Sequence, residues 1–484
     1  MSGAMSVGFF VNLVGNVLLA KILNSPDLLG VWRSVLLYLQ YAPFLNLGAS
    51  HGLDRVGATM VSRGQMVRYR RAMGASLGFS LVLPLIASLA LLGSLPFIEN
   101  AQVRVGAITL MFLIPVQQLF TFGDLALIFE KKYGMRALVS FASTMIRIPL
   151  TLLFAWKFSL AGALFAFGIS TVCIAIYVLW KSAMGFELAL HGRFATSMIL
   201  TGLPITLLAL GELVIQTVDK WMVLHFLKDT GMGLYTMAFL PLPLLMLLPA
   251  SLRDAMNVEI YDHARRAGRS EEVRSLYSHT LQMVALISPV VMGMIFFGVP
   301  WLIAWQLPKF MASIPAVKLH AVVIYPLLIS QTGLGVLVAA RLELKSFAVM
   351  MTLALCAAFS TWLMASRPGF GLTMVLKIHG AMWLLYGVFI LTLNHWKFGL
   401  RPANAFGRSL VYMLPMFGAG VALYGVEWIM NRSPLTPETF PSAAISGLLY
   451  MIVCAPGLYY LEKRYKSISG FLNAALRRIP GMGR

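Results

Sequence analysis

Two carboxylates stand in a stretch that is otherwise built for hydrocarbon. Within the apolar run from Leu203 to Leu224 the chain reads Gly211-Glu212-Leu213-Val214-Ile215-Gln216-Thr217-Val218-Asp219-Lys220-Trp221. Glu212, Gln216 and Asp219 are spaced i, i+4, i+7, which puts all three on one helix face. An acid at the centre of a bilayer costs roughly 2.5–3.5 kcal/mol even on the gentlest scale. Two on one stripe point to use, or to a face turned towards water. Low-dielectric surroundings favour the protonated acid, so such a group can take a proton on one side and release it on the other. Glu212 lies deeper in the run and is the candidate for ion coupling; the plainer reading is a hydrogen-bonded contact between helices. Asp219 is either a second coupling acid or a helix-end charge beside Lys220.

The bases inside apolar runs form the complementary set. Arg147 lies mid-run in Ser143-Thr144-Met145-Ile146-Arg147-Ile148-Pro149, with no easy reach to either surface. Two readings stand. One is a salt bridge to Asp124 on the preceding helix: at 1.5 Å per residue from the intervening turn, their depths differ by about 6 Å. The other is a cation facing a cavity, where the planar guanidinium fork suits phosphate oxygens and keeps its charge. Asp124 is then a third candidate coupling acid. Arg33, Arg253 and Lys377 (near His379) are further candidate substrate cations, each with a snorkelling alternative. Asn12 and Asn16, again i, i+4, make a polar stripe that either binds a polar substrate or joins helices. Trp32, Tyr38, Tyr41, Trp221 and Tyr235 offer rings for stacking, or serve as interface belt and packing.

The elements that position these residues are membrane spans. Hydrophobic residues make up 59% of the 484-residue chain and charged ones 12%, against about a quarter charged in a soluble domain. Mean hydropathy is +0.80. The net charge of +20 fits Lys/Arg-rich cytoplasmic loops and, with no soluble domain to carry a basic patch, argues against nucleic-acid binding. No phosphate-binding GxxxxGK[ST] loop is present, so the chain is not expected to hydrolyse ATP. Cys173, Cys356 and Cys454 lack metal spacing and read as small hydrophobes. No cofactor or metal is expected. The first apolar run lacks a basic leader and reads as a retained helix.

Runs of about 20 apolar residues predict an all-α polytopic membrane protein with about fourteen spans, near 5–23, 31–50, 73–95, 105–128, 137–156, 160–180, 197–219, 232–252, 278–299, 317–340, 347–365, 371–394, 405–427 and 440–461. With the N-terminus cytoplasmic and sides alternating, 26 of the 38 bases fall on the cytoplasmic side and 11 on the other, leaving Arg147 inside a span. That asymmetry follows the positive-inside rule and places both termini in the cytoplasm. The loop 253–277 reads as a charged cytoplasmic helix. Prolines at 241, 243 and 249 in the eighth span are expected to bend it.

The chain also repeats itself. Leu28-Leu29-Gly30-Val31-Trp32 and Gly231-Met232-Gly233-Leu234-Tyr235 align at an offset of 203, which also sets Asn16 on Asp219. The hairpin at 155–162 matches that at 365–371 at an offset near 210. Two six-helix lobes, 1–190 and 191–396, followed by two further helices and a basic tail over 397–484, are expected. Such repeats place the binding site between the halves.

Gly202-Leu203-Pro204, Asp219, Gly233-Leu234-Tyr235 and Ala238 form a pattern that resembles the polysaccharide-transporter family. That family includes the Wzx-type O-antigen flippases, within the superfamily that also holds the MATE exporters and the lipid II flippase. Leu19-Ala20-Lys21-Ile22-Leu23, Leu29-Gly30-Val31-Trp32, Leu47-Gly48 and Phe129-Glu130-Lys131-Lys132-Tyr133-Gly134 are similar to it too. Leu307-Pro308-Lys309-Phe310 departs from it, lacking a glycine before the aromatic. The resemblance covers about residues 10–400. It implies two bundles around a central cavity that opens alternately to each side of the bacterial inner membrane. It implies a polyprenyl-pyrophosphate-linked glycan as substrate, with a glycan polymerase or glycosyltransferases as candidate partners. Arg147 then becomes the pyrophosphate cation, and Asn12 and Asn16 donors and acceptors for sugar hydroxyls.

Two other functions are weighed beside it. A MATE-like, cation-coupled exporter of small organic molecules would want an acidic cavity, and Asp124, Glu212 and Asp219 against Arg147 and Lys377 do not decide that. A polytopic glycosyltransferase or polymerase would present catalytic groups on a large outward loop. The predicted outward loops are short, so the chain is not expected to be an enzyme.

Overall fold

A computed structural model describes residues 2–182, 192–242, 245–246, 270–433 and 439–465, and within them the chain is helical with no strand. It is an all-α polytopic membrane protein. Ten stretches are long and apolar enough to cross a membrane, and the shorter Phe10–Leu23 is also apolar. Two of the ten are each two helices run together, Tyr133–Lys181 across the non-helical Phe158 and Ser159 and Gly192–Ala238 across Lys228. Large apolar side chains such as Leu89, Trp156, Leu355 and Val421 lie open on helix surfaces. That exposure fits a lipid solvent rather than water.

The first helices are α1 (Ser2–Leu23), α2 (Pro26–Tyr41), α3 (Ala49–Ser62), α4 (Met66–Ser80) and α5 (Val82–Ser94). They are followed by α6 (Ala101–Phe129), α7 (Tyr133–Lys181) and α8 (Gly192–Ala238). Local chemistry sets their ends. Asn100 caps α6, its side chain accepting from the backbone N–H of Gln102 at 2.9 Å and of Val103 at 3.4 Å. Proline occupies the first turn of α2, where its missing N–H leaves no bond unmade.

The second predicted span is not continuous. A 3-10 turn, Ala42–Asn46, and the left-handed pair Leu47 and Gly48 (φ 52° and 93°) separate α2 from α3. Pro43 can donate no backbone bond there. Side chains satisfy the freed groups: Gln118 Nε2 donates to the Ala42 carbonyl at 2.6 Å, and the Gly48 N–H donates to Asn46 Oδ1 at 2.8 Å. Both Asn46 and Gln118 are buried. The expected bend at Pro241, Pro243 and Pro249 lies mostly outside the described residues.

The repeat is written into the backbone. Three left-handed residues at helix–helix turns in the first half, Asn24, Lys131 and Ser159, recur as Lys228, Arg341 and Gly369 in the second. The offsets are 204, 210 and 210, matching the sequence alignment. Non-glycine residues seldom hold this conformation. Its recurrence at the same three turns therefore marks two copies of one helical plan.

By its contacts the chain forms two compact units. One holds Met1–Thr236 with Glu343–Met351; the other holds Met237–Leu342 with Thr352–Arg484. The first unit takes in the seventh span because α8 packs along α2 and α3. Close backbone approaches at Gly48 against Gly202 and at Gly52 against Met198 hold that seam.

Candidate functional site

In the first unit the repeat brings its own two copies into contact. A side chain on Gly30 would strike the Asp229 carbonyl, and one on Gly233 would strike the Pro26 carbonyl. Gly30 and Gly233 are equivalent at the offset of 203, and so are Pro26 and Asp229. The contact is therefore reciprocal, as across a two-fold axis. Thr230 Oγ1 donates to Asp27 across the same crossing, again 203 residues apart.

The carboxylate face lies on α8, before its break at Lys228. Gln216 Nε2 donates to Glu212 Oε1 at 3.1 Å, confirming that the two share a face. Glu212 is half-buried, whereas Asp219 is wholly buried. Asp219, read from the sequence as either a second coupling acid or a helix-end charge, is thus the more enclosed of the two acids. Asp219 Oδ2 accepts from the Tyr235 hydroxyl at 2.8 Å, and Lys220 Nζ lies 3.6 Å from Oδ1. The ammonium makes its own bond to the Gln216 carbonyl at 2.5 Å. Tyr235 comes from beyond the break, so the turn at Lys228 folds the next helix back over the acid. We expect Tyr235→Phe to cost about 1–3 kcal/mol by leaving a buried carboxylate without its donor. Thermal unfolding of the detergent-solubilised variant measures it.

The aromatic residues beside this face pack on one another. Tyr41 Oη and Thr217 Oγ1 are 2.6 Å apart, and Trp221 Nε1 donates to Tyr41 Oη at 3.1 Å. Tyr38 meets Trp221 edge-on at 4.8 Å between centroids. These rings tie α2 to α8, and only Tyr38 of the three is largely exposed.

Arg147 does not pair with Asp124. Arg136, in the first turn of α7, holds Asp124 instead, its Nε 2.8 Å and 3.0 Å from the two carboxylate oxygens. The turn after Phe129 brings these two ends of α6 and α7 together, whereas Arg147 lies three turns further along. Arg147 makes no ion pair among the described residues. Its guanidinium lies 5.3 Å from the centre of the Phe167 ring, and Phe167 in turn meets Trp32 edge-on at 5.5 Å. That chain of contacts links Arg147 through Phe167 to Trp32 at the middle of α2, where Arg33 is the next residue. Arg33 Nε and Trp32 Nε1 are both buried without a hydrogen-bond partner among the described residues.

The remaining predicted residues are dispersed. Asn12 Nδ2 donates to the Gly8 carbonyl of its own helix at 2.9 Å, between Gly8 and Gly15, which approach Thr144 and Ile148 on α7. Asn16 is half-buried one turn on. Lys377 belongs to the second unit and is exposed. Arg253 lies outside the described residues.

No protein-family model matches the chain, and no curated protein matches it in sequence. Solved structures do match. A lipid II flippase, MurJ, in an inward closed conformation superposes with a TM-score of 0.66 at 13% identity, over 95% of this chain and 99% of its own. An inward-facing multidrug resistance MATE family transporter gives 0.57 at 13% identity, over 83% and 96%. A MOP superfamily transporter from Pyrococcus furiosus gives 0.55 at 15% identity, over 82% and 94%. The chain has the fold of the MOP superfamily transporters. Within the MOP fold found here, sequence reading missed the Asn46–Gln118 bracing of the broken second span and the Tyr235 cover over Asp219. It also missed the ion pair of Lys318 with Glu427 at 2.7 Å in the second unit. Pro43 was the available signal for the break. The two pairings carry no local signal, since their partners are set by tertiary packing.

Proposed function

We propose that this protein is a flippase that moves a polyprenyl-pyrophosphate-linked oligosaccharide from the cytoplasmic to the outer leaflet by alternating access. The observation that carries the reading is Arg147: a cation within a span, with no ion-pair partner among the described residues. Its guanidinium lies by the ring of Phe167, which packs on Trp32 of α2, and the next residue, Arg33, has a buried Nε with no hydrogen-bond partner among the described residues. The polyprenyl tail can remain in the bilayer, but a pyrophosphate needs cations to leave water. Arginine forks meet that need. Asn12 and Asn16 serve sugar hydroxyls, and Lys377 and Arg253 are the outlying members of the cation set. The match to a lipid II flippase along nearly the full length of both chains supports a lipid-linked substrate. The protein then lies in a bacterial inner membrane with both termini cytoplasmic, works beside glycan polymerases or glycosyltransferases, and is not itself an enzyme.

Ion coupling supplies the driving force, through Glu212 and Asp219. Asp124 is the weakest of the three acids because Arg136 already holds it. Glu212→Gln is expected to abolish the dependence of transport on a pH gradient while leaving downhill movement measurable. The check is a reconstituted assay with and without an imposed gradient. Unchanged gradient dependence removes Glu212 from the coupling role. A MATE-like exporter of organic cations is the second reading, favoured by the buried Asp219 and by the MATE likeness.

A further inference from the structure

The second unit carries a polar pocket that the transport reading does not use. It lies where the end of helix Ser270–Gln306, the start of Ile314–Val323, the end of Leu414–Met430 and the start of Phe440–Tyr465 come together. The recess is small, about 40 Å³, room for the charged end of a ligand rather than for a whole molecule of the ~300–1,000 Å³ class. Lys318 and Glu427 form its charged wall, Nζ donating to Oε1 at 2.7 Å, and both remain partly open. Ser442, Ser446 and Asn431 complete the polar lining, and the Phe296 ring lies 5.9 Å from the ammonium.

Aromatic residues place this pocket at a particular depth. Trp301 and Trp305 stack at 5.4 Å, and Phe440 meets Trp301 at 5.2 Å. The Arg432 guanidinium sits 3.5 Å from the centre of the Trp428 ring. Trp305, Trp428 and Phe440 are all largely exposed. Tryptophans gathered at one end of a helix set mark the headgroup level of a bilayer. The pocket's charges thus face lipid headgroups rather than acyl chains.

We propose that the pocket binds the headgroup of a bilayer aminophospholipid, a phosphoethanolamine, with its phosphate on Lys318 and its ammonium on Glu427. Such a zwitterion exchanges one ion pair for two and leaves neither side chain unpaired. A phosphate-only headgroup would strand Glu427, and stranding a partly buried charge is costly. A choline headgroup carries no N–H to donate to the carboxylate.

The test is lipid retention by the full-length protein, read by native mass spectrometry after exchange into an equimolar mixture of phosphatidylethanolamine, phosphatidylcholine and phosphatidylglycerol. Phosphatidylethanolamine is expected to be retained about tenfold over either competitor, the effect of one charged hydrogen bond. The double variant Lys318→Gln/Glu427→Gln removes both charges together, leaves none stranded, and should erase the preference with unchanged thermal stability. Glu427→Gln alone should shift the preference to phosphatidylglycerol. Equal retention of the three lipids, or an undiminished preference in the double variant, overturns the proposal. So does displacement of the lipid by soluble phosphoethanolamine at equal concentration, which would remove the bilayer as the source. None of these outcomes depends on which substrate is transported.

Discussion

Replacing Arg147 with alanine is expected to lower glycolipid transport by about ten- to a hundred-fold while leaving the protein folded. A charge-assisted hydrogen bond contributes about 1.5–3 kcal/mol, and each 1.4 kcal/mol is tenfold in affinity. Folding should survive because no carboxylate among the described residues depends on Arg147: Asp124 is satisfied by Arg136. Arg147→Lys should fall between wild type and alanine, keeping the charge but losing the two-pronged geometry. Arg136→Ala should behave in the opposite way. It strips Asp124 of its partner, and its main effect should be on stability, measured by thermal unfolding. A transport assay and a melting curve on both variants separate the two arginines. If Arg147→Ala transports normally, the cation assignment is wrong.

The second large effect is expected at the reciprocal glycine crossing. Overpacking a tight contact costs about 1–3 kcal/mol when side chains can shift. At Gly30 and Gly233 the obstacle is backbone carbonyl, which can shift least. Gly233→Leu should therefore part α2 from the start of the eighth span. Because the crossing is two-fold, Gly30→Leu should have a matching effect. The readout is a cross-link between Asp27→Cys and Thr230→Cys, in a chain whose Cys173, Cys356 and Cys454 have been changed to serine. High cross-linking yield in this background and low yield after either leucine substitution is the expected result. Equal yields in all three chains would contradict the crossing. If the crossing also has to open during transport, a locked cross-link should stop transport, and reduction should restore it.

Much of this fold is legible in the sequence because its signals are local or periodic. Apolar runs of span length give the helices. Gly30 and Gly233 betray the repeat because a glycine is needed wherever two backbones touch. The turns at Ser159 and Gly369 were legible as one hairpin written twice. The break in the second span was less so, since Asn46 and Gln118 meet only after α6 packs beside α2. The site divides along the same line. The shared face of Glu212 and Gln216 follows from helical spacing alone, whereas the burial of Asp219 depends on Tyr235 returning from the next helix. Depth along a run of sequence does not measure burial when a neighbouring helix folds over its end. Likewise Asp124 and Arg147 lay within an arginine's reach in depth, yet the nearer Arg136 took the carboxylate, because a helical hairpin pairs first the residues closest to its turn.

The charge pattern separates the flippase from the cation exporter only through its behaviour. Arginines without acidic partners should favour an anionic headgroup and repel an organic cation. On the flippase reading proposed above, the carboxylate face of α8, braced by Gln216, Lys220 and Tyr235, would handle the coupling ion rather than the substrate.

The most direct measurement reconstitutes the full-length protein in liposomes carrying a fluorescent polyprenyl-pyrophosphate oligosaccharide in the inner leaflet. A membrane-impermeant quencher outside reports arrival in the outer leaflet. Protein-dependent movement that Arg147→Ala abolishes, with no uptake of an organic cation by the same vesicles, is the predicted result. Cation transport without glycolipid movement would contradict the account and favour the exporter reading.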